Sequence, residues 1–200
     1  MRSKILLAFA ALGLTATLSA HATIIGFSGS WAPATWTTTI VGAVNGGGAN
    51  NGTVNTAGAP NSITLNGGND PTDSIGCVPG FLLCEIQFTH ATPGNLPINF
   101  HWSYVSNDSS GGPQFDFFGV LLAGGTHVQL SNPGGLANQQ GDYSFTPPAG
   151  TVGFYINCTD CSFGNAAVTI SGLQVPEPTS VALVGLGLLG MGALRRQSRT

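Results

Sequence analysis

The chain has 200 residues, of which charged residues make up 6% and hydrophobic residues 42%. All five Lys and Arg residues lie in the two terminal segments, so residues 23–175 hold seven of the eight acids and a formal charge of about −7. Nucleic-acid binding depends on Lys and Arg contacts to phosphate, and this composition therefore excludes nucleic acid as a partner. The hydrophobic content excludes a disordered chain, and the length suits one domain with its own core.

The N-terminal segment has the three parts of a secretory signal peptide. Arg2 and Lys4 precede the apolar stretch ILLAFAALGLTATL, and Ala20 and Ala22 flank a single residue. A basic start, a short apolar segment and an A-x-A site together define such a signal. The sequence therefore predicts a signal peptide over 1–22, with cleavage by signal peptidase after Ala22. An N-terminal membrane anchor is the alternative.

The exported body, residues 23–174, has the pattern of a β domain. Apolar and polar residues alternate with a period of two in several segments that are rich in β-branched and aromatic residues. Clusters of Gly, Pro and Asn separate these segments and predict turns. The pattern indicates an antiparallel β-sandwich or jelly roll of about eight to ten strands. The predicted strands lie in WTTTIV, SITLN, CEIQFTH, PINFHWSYVS, FDFFGVLL, HVQLS, TVGFYIN and AVTISGL.

The body contains all four cysteines of the chain: Cys77, Cys84, Cys158 and Cys161. An even number of cysteines in an exported domain predicts two disulfides, with three possible connectivities. Local pairing, Cys77–Cys84 and Cys158–Cys161, is favoured because each pair closes a loop of turn residues. The CTDC segment also fits half of a zinc site or a redox motif, although no helical pattern begins there.

No catalytic motif is assembled in the body, which contains neither G-x-S-x-G nor H-E-x-x-H. The sequence therefore predicts a protein that is not an enzyme. A secreted hydrolase is the alternative, with His101 on the polar side of a predicted strand and Asp108 in the following turn.

Calcium is a further hypothesis, because acids in predicted turns and at strand ends offer the oxygen ligands that this ion prefers. Asp also favours turns for its own backbone hydrogen bonds, so the sequence does not require a cofactor. The candidate ligands are Asp70, Asp73, Asp108 and Asp116.

The C-terminal segment, residues 175–200, has three parts in order. Its apolar run is shorter than the roughly 20 residues that cross a bilayer comfortably, and the following arginines favour the cytoplasmic side. The parts are the motif Val175, Pro176, Glu177 and Pro178, a predicted apolar helix over 181–194, and a basic end over 195–199 that opens with Arg195 and Arg196.

This segment resembles the PEP-CTERM sorting tail, which is sometimes labelled an ice-binding protein C-terminal domain. The resemblance implies processing by an exosortase and transient anchoring in the inner membrane. The destination is then the surface or the extracellular matrix of a Gram-negative bacterium that makes exopolysaccharide. A permanent membrane anchor is the alternative. The body offers only one short Thr-rich strand, in TWTTTI, and this does not predict an ice-binding array.

The body itself resembles a group of exported PEP-CTERM domains through FSGSWAPATWTTT, INFHWSYVSND and FDFFGVLLAGGTHVQLS, although Val120 stands where that group commonly has Tyr. No activity is established for this group. The sequence therefore predicts an exported, non-enzymatic surface or matrix protein associated with exopolysaccharide, with a calcium- or glycan-binding module as the alternative. Trp31 and Trp36 are candidates for outward aromatic residues that stack on neutral sugars, although aromatic residues more often lie in the core.

Overall fold

Eleven β-strands account for most of the residues that the structure describes. The structure is a computed structural model and describes residues 23–42, 51–69, 84–109, 112–159, 161 and 163–176. Short 3-10 turns occur at Gly29–Trp31, Pro33–Thr35 and Gly112–Gln114. The strands are β1 Thr23–Ile25, β2 Thr37–Val41, β3 Thr53–Asn55, β4 Ser62–Asn66, β5 Cys84–Thr92, β6 Ile98–Ser106, β7 Phe118–Leu122, β8 Thr126–Gln129, β9 Asn138–Phe145, β10 Gly150–Cys158 and β11 Ala166–Pro176.

The strands form two antiparallel sheets, which confirms the predicted all-β fold. The six-stranded sheet has the order β3-β4-β11-β6-β9, with β1 also paired to β11. The five-stranded sheet has the order β2-β5-β10-β7-β8. There is one strand more than the predicted upper number, and β1, β3 and β9 lie outside the predicted segments. Strands β1 and β3 have only three residues each, and β9 has Gln and Gly at two of its less exposed positions, so none of them shows apolar alternation. Residues Thr23–Pro176 form one compact unit.

Alternating residues of both sheets supply the core between them. On β6, Ile98, Phe100 and Tyr104 are at most 3% exposed, whereas the residues between them lie on the opposite side of the sheet. Phe154 and Ile156 of β10 face them from the five-stranded sheet and are equally buried. This is the period-two pattern that the sequence predicts for a sandwich.

One end of the core is a stack of aromatic rings around Trp36. Its indole lies parallel to Phe88, with ring centroids 4.8 Å apart, and to Phe154 at 5.6 Å. The Trp36 Nε1 donates a hydrogen bond to the Trp31 carbonyl at 3.0 Å. Trp31 and Trp36 are only 4% and 8% exposed, so the prediction that they face outward is wrong. Both can be buried because the polar atom of the Trp36 ring has a backbone partner.

Three described cysteines cluster where β5 pairs with β10. Cys158 and Cys161 form a disulfide, and Cys84, the register partner of Cys158, is disulfide-bonded as well. The favoured partner of Cys84, Cys77, lies outside the described residues. All three cysteines are at most 1% exposed, so the bonds are part of the packed domain.

The predicted signal peptide with Ala20 and Ala22, the acids Asp70 and Asp73, and the tail from Glu177 onward also lie outside the described residues. Within the residues that are described, no helix has the length and apolar character needed to span a membrane.

Candidate functional site

The outward side of the six-stranded sheet is a regular array of hydrogen-bonding side chains, which we call the polar face. Its residues alternate with the core residues on four neighbouring strands, so strand periodicity alone places them there. The cross-strand rows are set by the register, for example Ser171, His101 and Asp142 in one row and Thr169, Ser103 and Gln140 in the next. The polar face comprises Ser62, Thr64, Asn66, Asn99, His101, Ser103, Asn138, Gln140, Asp142, Ser144, Thr169, Ser171 and Gln174.

Two cavities lie in succession along β6 and β9 on the polar face. The first has a volume of about 410 Å³ and is lined by Asn99, Phe100, His101, Asp142, Tyr143, Ser144, Gly172 and Gln174. The second has a volume of about 360 Å³ and is lined by side chains that include Ser103, Val105, Asn138 and Gln140. Because these residues occupy consecutive rows of the same two strands, we treat the cavities as one feature, the β6–β9 groove.

A bulge in β11 shapes the first cavity. The pairing with β6 shifts register between Ser171 and Gln174, and Gly172 within this segment has a φ of +60°. That left-handed conformation favours glycine, and a Cβ at Gly172 would have no neighbour within 4 Å. The bulge therefore leaves open space above β11 at the point where Gln174 joins the groove.

His101 and Asp142 form a polar pair in the first cavity. The His101 Nδ1 donates to Asp142 Oδ1 at 2.8 Å, and the two side chains are 41% and 88% exposed. An ion pair this exposed contributes little to stability, typically about 0–1 kcal/mol. The pair is therefore better placed to contact a ligand than to stabilise the fold.

A second polar cluster, on the outward side of the five-stranded sheet, was not predicted from the sequence. The His127 Nε2 lies 3.1 and 3.0 Å from the two carboxylate oxygens of Glu85, and its Nδ1 lies 3.1 Å from the Gly125 carbonyl. Glu85 is 2% exposed and also accepts a hydrogen bond from Gln87 at 2.6 Å. Because both ring nitrogens of His127 face acceptors, this histidine is a structural partner of Glu85 and has no nitrogen left for a substrate.

Tyr155 lies beneath this cluster. Its ring centroid is 4.7 Å from that of His127. Burial raises the pKa of Tyr155, and the charge of Glu85 raises it further. The tyrosine therefore remains protonated at neutral pH. Only the alternation of polar residues on β5 could have indicated this cluster, since its members come from three strands that are distant in sequence.

The third described histidine, His90, packs against the aromatic stack. Its ring centroid lies 4.3 Å from that of Trp31 and 5.2 Å from that of Trp36. Burial lowers the pKa of His90 from the ordinary value of 6.5, and the hydrogen bond to the Thr35 carbonyl offsets part of this effect. The folded protein therefore binds a proton at His90 less readily than the unfolded chain does.

This difference predicts a loss of stability in acid that depends on His90. The contribution of His90 is complete above about pH 6.5 and decreases as the pH falls below it, because the unfolded state gains the proton first. We measure the free energy of unfolding in urea. It should decrease more between about pH 8 and pH 5 in wild type than in the variant His90→Gln. An equal loss in both proteins would contradict the burial argument. His101→Gln, at an exposed histidine, is the matched control.

The structure separates the residues of the predicted hydrolase. His101 lies on the polar face and pairs with Asp142, whereas Asp108 follows the end of β6, roughly 20 Å away along the strand. Asp108 is 9% exposed. The predicted pair of His101 and Asp108 is therefore not formed.

Two of the four predicted calcium ligands lie close to one another. Asp108 and Asp116 both contact Ser106, through the Asp108 amide at 3.3 Å and the Asp116 Oδ2 at 3.5 Å. Asp116 also accepts a hydrogen bond from the Tyr104 hydroxyl through its backbone carbonyl, at 2.6 Å. Among the described residues, no group of three or more His, Cys, Asp or Glu side chains could hold a metal ion. Calcium binding therefore stays a prediction.

The described residues define a class of protein, a β-sandwich that carries a polar groove lined without Lys or Arg. Residues 174–197 match the PEP-CTERM protein-sorting motif, which confirms the resemblance seen in the sequence and indicates an exported protein. The match covers the tail, and of the groove residues it includes Gln174. No curated protein matches the chain.

Several solved structures are similar to the chain at low identity. The K3 cleaved adhesin domain of Lys-gingipain from Porphyromonas gingivalis is 13% identical with a TM-score of 0.38, covering 78% of this chain and 100% of that one. The carbohydrate-binding module CBM6cm-2 of Cellvibrio mixtus lichenase 5A, in complex with cellotriose, is 12% identical with a TM-score of 0.29, covering 78% and 97%. Tailspike protein 4 of bacteriophage CBA120 is 17% identical with a TM-score of 0.34, and the match spans 70% of this chain and 20% of the tailspike. We transfer no ligand or activity from these structures.

Proposed function

We propose that this chain is an exported, non-enzymatic protein of the cell surface or extracellular matrix, and that it binds exopolysaccharide through the β6–β9 groove. The observation that carries the proposal is the groove itself, in which two cavities follow one another. Amide, hydroxyl, imidazole and carboxylate groups line them, together with apolar surface at Phe100, Tyr143 and Val105. The sorting motif supports export from a Gram-negative cell. Signal peptidase and an exosortase would be the processing partners, with transient anchoring in the inner membrane.

The chemistry of the groove suits the hydroxyl groups of a sugar chain. Asn99, Gln140 and Gln174 each offer both donors and an acceptor in one side chain, and the strands hold them in fixed rows. A single hydrogen bond contributes only about 0.5–1.5 kcal/mol. Repeated contacts along a polymer raise the overall affinity without any single strong contact. A groove that crosses four rows therefore favours an extended polysaccharide over one small molecule.

The arrangement of the histidines supports a role without catalysis. His127 has both nitrogens engaged, and His90 is packed between tryptophans. The His101 side chain is 41% exposed, and its partner Asp142 is itself exposed to solvent. A general base needs a buried partner that fixes its orientation. The His101–Asp142 pair is exposed to solvent and lacks such an environment.

Affinity electrophoresis of the exported protein, with exopolysaccharide from the producing cells in the gel, tests the proposal. We expect the polysaccharide to retard wild type. The double variant Asn99→Ala and Gln174→Ala should bind at least about tenfold more weakly, since two hydrogen bonds of about 1 kcal/mol each are lost. Thr39→Ala with Thr89→Ala, on the outward side of the other sheet, is the matched control and should bind like wild type. If wild type is not retarded, or if the control loses as much affinity as the groove variant, the proposal is wrong.

A further inference from the structure

The exposed negative charge of the described residues is concentrated at the first cavity of the groove. Of the four acids described, Glu85, Asp108 and Asp116 are at most 9% exposed, whereas the Asp142 side chain is 88% exposed. Residues 23–175 contain no Lys or Arg that could compensate this charge. A ligand that enters the cavity therefore meets a carboxylate and no permanent positive charge.

Asp142 has a hydrogen-bond partner on its own sheet and is still accessible to a ligand. Its Oδ1 accepts the hydrogen bond from His101 Nδ1 at 2.8 Å, and the exposure of the side chain leaves room for a second, charge-assisted hydrogen bond. Such a bond to an ammonium group is roughly twice as strong as a bond between neutral groups. Asn99, Ser144 and Gln174 line the same cavity and offer partners for the hydroxyl groups next to that ammonium group.

We propose that the β6–β9 groove binds polysaccharides that carry free amino groups, with Asp142 as the counter-ion of the sugar ammonium. This inference rests on the proposed function and names the class of sugar. Acidic polymers, such as those built from uronic acids or sulfated sugars, are disfavoured. Their negative charges are repelled by Asp142 and by the net negative charge of residues 23–175. Fully acetylated amino sugars lack the ammonium group and gain only the neutral hydrogen bonds.

Isothermal titration of the exported protein with three oligosaccharides of equal length tests the inference. The probes are a glucosamine hexamer, an N-acetylglucosamine hexamer and a uronic acid hexamer, at neutral pH and low salt. We expect wild type to bind the glucosamine hexamer at least about tenfold more tightly than the acetylated one, and the uronic acid hexamer most weakly. Asp142→Asn should remove this preference, whereas Asp142→Glu, which keeps the charge, should retain it.

Two controls separate recognition from general attraction between a polycation and an acidic protein. Thr39→Ala lies outside the groove, at an exposed position of the other sheet, leaves the charge unchanged and should keep the preference. Spermine, a polyamine without sugar hydroxyls, should not displace the hexamer at equal charge concentration. Displacement by spermine, or an unchanged preference in Asp142→Asn, would overturn the inference.

The outcomes also distinguish this inference from the proposed function. If wild type binds exopolysaccharide through the groove but binds the glucosamine and acetylated hexamers equally, the sugar class is wrong and the proposed function stands. If wild type binds neither exopolysaccharide nor any hexamer, both are wrong.

Discussion

Replacing Trp36 with alanine should lower the free energy of unfolding by about 3–5 kcal/mol, the cost of removing a large buried aromatic side chain. The indole lies between Phe88 and Phe154 at centroid distances of 4.8 and 5.6 Å, and it meets Trp31 edge-on at 5.7 Å. Its loss would leave a cavity between the sheets and remove the hydrogen bond from Nε1 to the Trp31 carbonyl. Domains are stable by only about 5–15 kcal/mol, so this variant should be close to unfolding at physiological temperature.

Urea unfolding followed by intrinsic fluorescence measures this effect. Trp36→Phe keeps an aromatic ring in the stack and should cost clearly less than the alanine variant. Thr39→Ala, at an exposed position of the neighbouring strand β2, is the control and should change the free energy of unfolding by no more than about 0.5 kcal/mol. A loss below about 1 kcal/mol in Trp36→Ala would show that the ring is not a packed part of the core.

The fold class could be predicted because period-two alternation is a local property of each strand. In β6, the alternation of Ile98, Phe100 and Tyr104 with polar residues gives both the strand and the side that faces the core. The order of the strands could not be predicted. Strand β6 pairs with β9 and β11, which follow it by some 30 to 60 residues in the sequence, and β7 and β8 between them belong to the other sheet.

The candidate site, too, could be predicted only in part from the sequence. The polar residues of β6 are visible in the sequence because they alternate with core residues, and His101 was singled out for that reason. The other side of the groove, strand β9, was not predicted, since Gln139 and Gly141 stand at its less exposed positions. Its partner was expected to be Asp108, the nearest acid in sequence, but cross-strand register places Asp142 beside it instead. The Glu85–His127 pair was missed because it also depends on register between distant strands.

The error on the tryptophans has a different cause. Trp31 and Trp36 stand among Ser, Thr, Ala and Pro residues in SWAPATWTTT, so no apolar alternation shows which way each ring faces. The acceptor for Trp36 is a backbone carbonyl, and every residue type has one. Sequence composition therefore cannot show that the polar atom is satisfied inside the core.

The disulfides replace stabilising contacts that this body otherwise lacks. With no Lys or Arg in residues 23–175, ion pairs within the described residues involve only histidines, in the pairs His101–Asp142 and His127–Glu85. Cys84 and Cys158 lie opposite each other at the end of the β5–β10 ladder, where strand pairing would otherwise fray. The Cys158–Cys161 bond ties the end of β10 to the loop that follows it, and the bond of Cys84 fixes the start of β5.

Reduction of the disulfides should therefore destabilise the exported protein by about 2–5 kcal/mol, the usual cost of removing native disulfides from a small secreted domain. The double variant Cys158→Ala and Cys161→Ala should lose about 2 kcal/mol, since the bond closes a short loop between residues separated by 3 in sequence. Adding reductant to this variant should lower its stability again, because the bond of Cys84 remains. Urea unfolding with and without reductant gives these differences, and intact mass after alkylation in denaturant without reductant should detect no free thiol. Alkylation of all four cysteines in that experiment would contradict the disulfides and favour the zinc hypothesis.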